Sequence, residues 1–154
     1  MQATGTRPKI TVSGDGRGVV GHAGARLLAD VAEVTGLTDA FSEALAGLRR
    51  RERGHDPGRV AADLAVMIAD GGEAISDLAV LRDQAELFGK VASDPTAWRL
   101  LSGVDGDALD RLRAARARAR ELAQAQTGET RGGLPDVVVA GWTVPGSWIW
   151  TPRS

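Results

Sequence analysis

The chain has 154 residues, 43% hydrophobic and 25% charged, enough for one domain with a real core but not for a second full one. It has no cysteine, which excludes disulfides and thiolate metal sites, and no apolar run near the ~18 residues a membrane helix needs. A net charge of −1 and a pI of about 6.1 are not those of a dedicated nucleic-acid-binding module, so any such role must come from local charge.

The first ten residues, MQATGTRPKI, have two basic side chains and no apolar stretch behind them. No secretory signal is expected, and the cytoplasm is the default compartment. Lys9 to Ser13 is a short β-branched run followed by the turn signal Gly14-Asp15-Gly16, so residues 1–20 are predicted to form an extended arm or one short strand. The glycines of GDGRGVVGHAG do not follow the G-x-G-x-x-G spacing of a dinucleotide fingerprint, and the stretch reads as a turn into a helix. His22 and His55 are the only histidines, too few and too far apart to suggest a metal cluster.

Leu27, Leu28, Val31 and Val34 predict an amphipathic helix over 24–35, stopped by Gly36. Thr38 is placed to cap the next helix, 38–48, whose apolar face is Phe41, Leu45 and Leu48. The run Arg49-Arg50-Arg51-Glu52-Arg53 then leads to Asp56-Pro57, a helix-start pair. The aspartate accepts from free backbone N–H groups, and proline loses nothing at the first helical position. A core helix over 57–70 follows, with Val60, Leu64, Met67 and Ile68 on one face and Gly71-Gly72 as its stop. Ile75, Leu78 and Leu81 predict a helix over 74–82, and Leu87 and Phe88 extend the apolar pattern. Asp94-Pro95 starts another helix, 95–102, carrying Trp98, Leu100 and Leu101. Residues 21–104 thus read as a compact helical domain.

The stretch DALDRLRAARARARELAQAQ holds no glycine or proline and predicts a long helix over 107–125 within a basic segment, 105–126. Its narrow apolar stripe is Leu109, Leu112, Ala119 and Leu122. Residues 127–154 read as a linker and tail. Val137 to Val139 is a β-type run with no sheet left to join, and Trp142, Trp148 and Trp150 crowd the last thirteen residues. The expected fold class is therefore mostly α: a compact multi-helix domain with a short N-terminal strand or arm and a poorly ordered C-terminal tail.

The strings DPGRVAADLAVMIADGGEAISDLAVLRDQAELFG and VASDPTAWRLL, with looser support from GRGVVGHAG and LPDVVVAG, resemble the N-terminal region of bacterial insertion-sequence DDE transposases of the actinobacterial type. The resemblance implies a parent protein that binds its element's inverted repeats and cuts and rejoins DNA at a divalent-metal site in an RNase H-like domain. That domain is expected to follow this segment, and the chain ends where it should begin. Spelling Ser147 to Ser154 in GC-leaning codons and sliding the frame by one base yields V-D-L-D-A-T-L-V. After VPG the family's expected continuation is an apolar strand carrying D-x-D-A-T, so the tail is expected to be frameshift-derived.

The expectation is a truncated, non-catalytic part of a transposase: no enzyme as it stands, no cofactor, no catalytic residue. Asp70, Glu73 and Asp77 have helical spacing but read as solvated or capping residues. In this setting the candidate DNA-contacting residues are the two arginine clusters: Arg49, Arg50, Arg51, Arg53 and Arg59, and Arg113, Arg116 and Arg120 on one face of the long helix. Both also read as solvated surface. Expected partners are DNA, weakly bound, and intact transposase or a second copy, with no membrane. The alternative is an independent helical interaction or regulatory protein.

Overall fold

The computed structural model describes residue 8 and residues 22–49, 54–131, 137–139 and 142–144. The expected N-terminal strand at Lys9 to Ser13, the glycine-rich turn before His22 and the tail from residue 145 lie outside the described residues. The architecture is mostly α, as the periodicities predict. Its helices are α1 Ala23–Val34, α2 Leu37–Ala44, α3 Pro57–Ala69, α4 Leu78–Arg82, α5 Ala85–Phe88, α6 Asp94–Leu101 and α7 Gly106–Arg131. Short 3-10 turns, Ala46–Leu48 and Ile75–Asp77, extend the second predicted helix and open the fourth. The chain divides into two units, Met1–Ala119 and Arg120–Ser154, with the boundary inside α7.

In the first unit α3 is the central element, packing against α1, α2, α4 and α6. Its start follows the sequence rule: the Asp56 side chain accepts from the Arg59 N–H at 3.0 Å, and Pro57 occupies the first helical position. Its end is the glycine pair, Gly71 adopting a φ of 99° that a β-carbon disfavours. Around α3 lies one core containing Leu45, Val60, Leu64, Met67, Leu78, Leu81, Phe88 and Leu100. Full burial of the largest of these, Phe88, Leu45, Leu78 and Leu81, contributes roughly 1.5–3 kcal/mol each.

One helix, α1, turns a different side inward from the one its apolar residues predict, while α3 and α7 bury the predicted side and leave some of its members exposed. In α1 the buried residues are Ala25, Arg26, Ala29 and Ala32, whereas Leu27, Leu28, Val31 and Val34 face out, Leu27 and Val34 at 67% and 70% exposure. The polar contacts account for this. Arg26 donates to the Leu87 carbonyl and Glu33 meets Arg59, so both must lie on the inner face, and the small alanines leave room for them. In α3 the buried arc takes in Ala62, Asp63 and Val66 as well as Val60, Leu64 and Met67. At ~100° per residue this leaves Ile68 on the exposed rim beyond Leu64. In α7 the inward stripe is Ala108, Ala115 and Ala119 with Leu112 partly buried, while Leu109 and Leu122 are exposed. Trp98 on α6 is exposed too, and Leu100 and Ala97 supply that helix's core contacts.

The end of α7 also departs from expectation. Residues 127–131, of linker composition, continue the helix to Arg131, because adding a residue to an existing helix is cheap compared with nucleating one, even across Gly128. In the second unit, Val137–Val139 does find a partner: it pairs antiparallel with Trp142–Val144, in the register Val137 to Val144, Val138 to Thr143 and Val139 to Trp142. A hairpin supplies its own second strand, so no larger sheet is needed for the run to be extended.

Helices α2 and α3 cross at close range. A β-carbon built on Gly58 would lie 2.0 Å from the Ser42 backbone nitrogen and 2.5 Å from the Phe41 carbonyl carbon, so this position admits only glycine. By helix propensity Gly58→Ala would stabilise by ~1 kcal/mol; here the backbone clash reverses the sign. We expect a destabilisation of roughly 3 kcal/mol, the upper end of overpacking costs, read as a lower urea midpoint.

Candidate nucleic-acid interface

The eight candidate arginines fall into different environments. Arg59 is turned inward, its side chain only 11% exposed. Its Nε donates to Asp63 Oδ1 at 3.1 Å, Nη2 donates to the Phe88 carbonyl at 2.9 Å, and Nη1 lies 3.4 Å from Glu33 Oε1. Those bonds join α1, α3 and the end of α5, which makes Arg59 part of the framework. Its place in the sequence beside the arginine run does not carry it to the surface.

Arg49 remains outside. It follows the 3-10 turn after α2, is about half exposed, and sits 3.7 Å from Asp56 Oδ2 through Nη1. The other carboxylate oxygen of Asp56 accepts both the Arg59 N–H and the Ser42 hydroxyl, the latter at 2.5 Å. The α3 N-terminus therefore already holds an anion, the chain's own carboxylate, where the sequence left room for a phosphate. Arg50, Arg51 and Arg53 lie outside the described residues.

Along α7, Arg113, Arg116 and Arg120 are exposed, as are Arg111 and Arg118. Arg113 pairs with Asp110 at 2.8 Å, a solvated pair of small energetic weight. The start of the helix is capped by Asp105, whose carboxylate accepts from the Ala108 N–H at 2.8 Å. The residue that sequence reasoning passed over is Arg111. Its Nε donates to the Ala44 carbonyl at the end of α2, at 2.9 Å, and so fastens the first turns of α7 beside the segment that leads into the arginine run. The signal in the sequence was faint: Arg111 differs from its neighbours only in lying off the face shared by Arg113 and Arg116.

Two further titratable groups make contacts at helix ends. His22, at a φ of 58° just before α1, contacts Asp70 at the end of α3 through its Nδ1. Asp77 Oδ2 accepts from the backbone N–H groups of Glu73 and Ala74, both at 2.9 Å. Those bonds hold its pKa below the ordinary aspartate value, the Ala74 one most strongly. His55 is shifted down by burial first and then by Lys90, with Asp63 opposing. Among the described residues no group of three or more histidines and carboxylates is placed to hold a metal ion. No helix among them is long and apolar enough to cross a membrane.

A family model described as transposase DDE domain group 1 matches residues 2–131. No curated protein and no solved structure matches the chain.

Proposed function

The chain belongs to the transposase DDE domain group 1 family, and from that premise we propose that its helical region is the DNA-associating, non-catalytic N-terminal part of an insertion-sequence transposase of the actinobacterial type. One observation carries the reading. The Arg111 bond to Ala44 fastens the first turns of α7 beside the end of α2, five residues before Arg49, while exposed Arg113 and Arg116 project from another face of α7. Arginines far apart in sequence are thereby carried on one folded unit. The contact is electrostatic: guanidinium groups neutralise phosphates and release counterions, and no helix with a recognisable base-reading set accompanies them. Binding is accordingly weak, salt-sensitive and nearly indifferent to sequence. Arg59 is left out of the contact set because its guanidinium is engaged internally. The further proposal that this chain is a short form of a longer transposase is supported by its tail, which in assumed GC-leaning codons slid by one base spells V-D-L-D-A-T-L-V.

A second reading, association with another polypeptide, is favoured by α1. Leu27, Leu28, Val31 and Val34 make an outward stripe with no charge in its centre, and apolar surface of this kind marks contact sites. The partner in this reading is a second copy or an intact transposase bearing the same helix.

Three measurements test these statements. Reversing Arg49, Arg50, Arg51 and Arg53 to glutamate should abolish retention of a duplex at low salt, and replacing Arg113, Arg116 and Arg120 should weaken it, equally on terminal-repeat and scrambled DNA. Survival of binding through both sets, or a strong preference for the repeat at high salt, would overturn the electrostatic reading. Genomic sequence downstream should hold a catalytic reading frame in another phase; unrelated sequence without terminal repeats counts against the short form. For the second reading, Leu27→Glu with Val31→Glu should convert a sedimenting dimer to monomer without loss of helicity, and a parent chain that is monomeric at high concentration ends it.

A further inference from the structure

Asp56 divides its carboxylate between two tasks. Oδ1 is structural, accepting the Arg59 N–H at 3.0 Å and the Ser42 hydroxyl at 2.5 Å, and so pins α3 to α2 at the crossing where Gly58 lets the backbones touch. Oδ2 lies 3.7 Å from Arg49 Nη1 and takes no part in the cap. Both partners of that ion pair keep substantial exposure, 45% for the Arg49 side chain and 30% for Asp56, so it is solvated and easily exchanged.

We propose that Asp56 is a built-in counter-anion for the arginine run, holding the Arg49 guanidinium against the start of α3 and weakening its pull on a nucleic-acid phosphate. The inference rests on the DNA-association reading above and adds a regulation to it. The chemistry is one of competition. A carboxylate and a phosphodiester offer a guanidinium the same kind of anionic oxygen, and the carboxylate is already tethered within reach. A phosphate displaces it from Arg49 at little cost, because the Oδ1 bonds that hold the two helices together are untouched. The arrangement therefore lowers affinity without lowering stability.

The test is a double-mutant cycle on the full chain with a short duplex at low salt, followed by fluorescence anisotropy. Asp56→Asn keeps an acceptor for Ser42 and Arg59, since asparagine caps helices as well as aspartate, and removes the charge. It should bind about threefold tighter than the parent, with a salt dependence steeper by about one phosphate contact. Asp83→Asn, on the exposed turn after α4, makes the same change in net charge and should give a clearly smaller gain. In an Arg49→Gln background the gain from Asp56→Asn should vanish. Circular dichroism verifies that each variant keeps its helices. An Asp56→Asn chain that binds like the parent, or whose gain equals that of Asp83→Asn or persists without Arg49, overturns the counter-anion alone. A chain that retains no duplex either as parent or as Asp56→Asn overturns the DNA-association reading, and this inference with it.

Discussion

The helical unit depends on buried guanidinium groups closing the end of a very short helix. α5 is four residues long, too short to be stable by itself, and its last two carbonyls are taken by two arginines from two other helices: Leu87 by Arg26 of α1 and Phe88 by Arg59 of α3. Cations at a helix C-terminus are favourable, and carbonyls left unpaired inside the protein are not. Asp63, itself buried, balances Arg59 from one turn further along α3, and Asp30 does the same for Arg26 along α1. A buried pair of this kind adds little over a well-packed apolar pair. Removing one partner, however, costs about 3–5 kcal/mol, because the other charge stays behind without water.

That requirement reaches the surface. Since Arg26 and Glu33 must point inward from α1, the alanines between them do so too, and the helix's large aliphatic residues are left outside. The hydrophobic gain from burying Leu27 or Val34 is forgone in favour of satisfying polar groups that would otherwise be buried unpaired. The same trade occurs on α3, where Asp63 occupies the middle of the buried arc and Ile68 is displaced to its rim. An outward apolar stripe on α1 is thus a consequence of the core's electrostatics, and it is available for association.

The near-neutral charge of the chain also has a structural explanation. Many acidic residues are spent at helix ends: Asp56 before α3, Asp105 before α7, Asp77 on the turn after α3, and Asp94 bound by Arg82, which also donates to the Ala92 carbonyl. Several arginines are likewise absorbed by carbonyls and carboxylates, so net charge is a poor guide to the surface. Arg113, Arg116, Arg118 and Arg120 are exposed along a continuous helix, and there the charge acts on whatever approaches.

Capping chemistry and helical periodicity are local, so the sequence by itself determined the bounds of α1, α3 and α6 in this transposase-family chain to within a residue, whereas α2 opens at Gly36 without the expected Thr38 cap and α7 runs past its expected end. Asp56-Pro57 opens α3 and Gly71 closes it because one side chain and a few backbone angles are enough to do so. The core positions Leu45, Leu64, Leu78, Leu81 and Phe88 were legible for the same reason, since their helices have only one strongly apolar side. Which face α1 turns inward was not legible, because alanine and leucine both satisfy an apolar pattern and the choice depends on partners distant in the chain. Of the candidate site, the two arginine clusters could be read as runs, but a run cannot separate Arg59 from Arg49. Only the tertiary structure decides that, by bringing Glu33, Asp63 and the Phe88 carbonyl around one guanidinium and keeping the other about half exposed beside Asp56. The physical reason is that a charge's role is set by the dielectric and the partners around it, and those belong to the packed molecule.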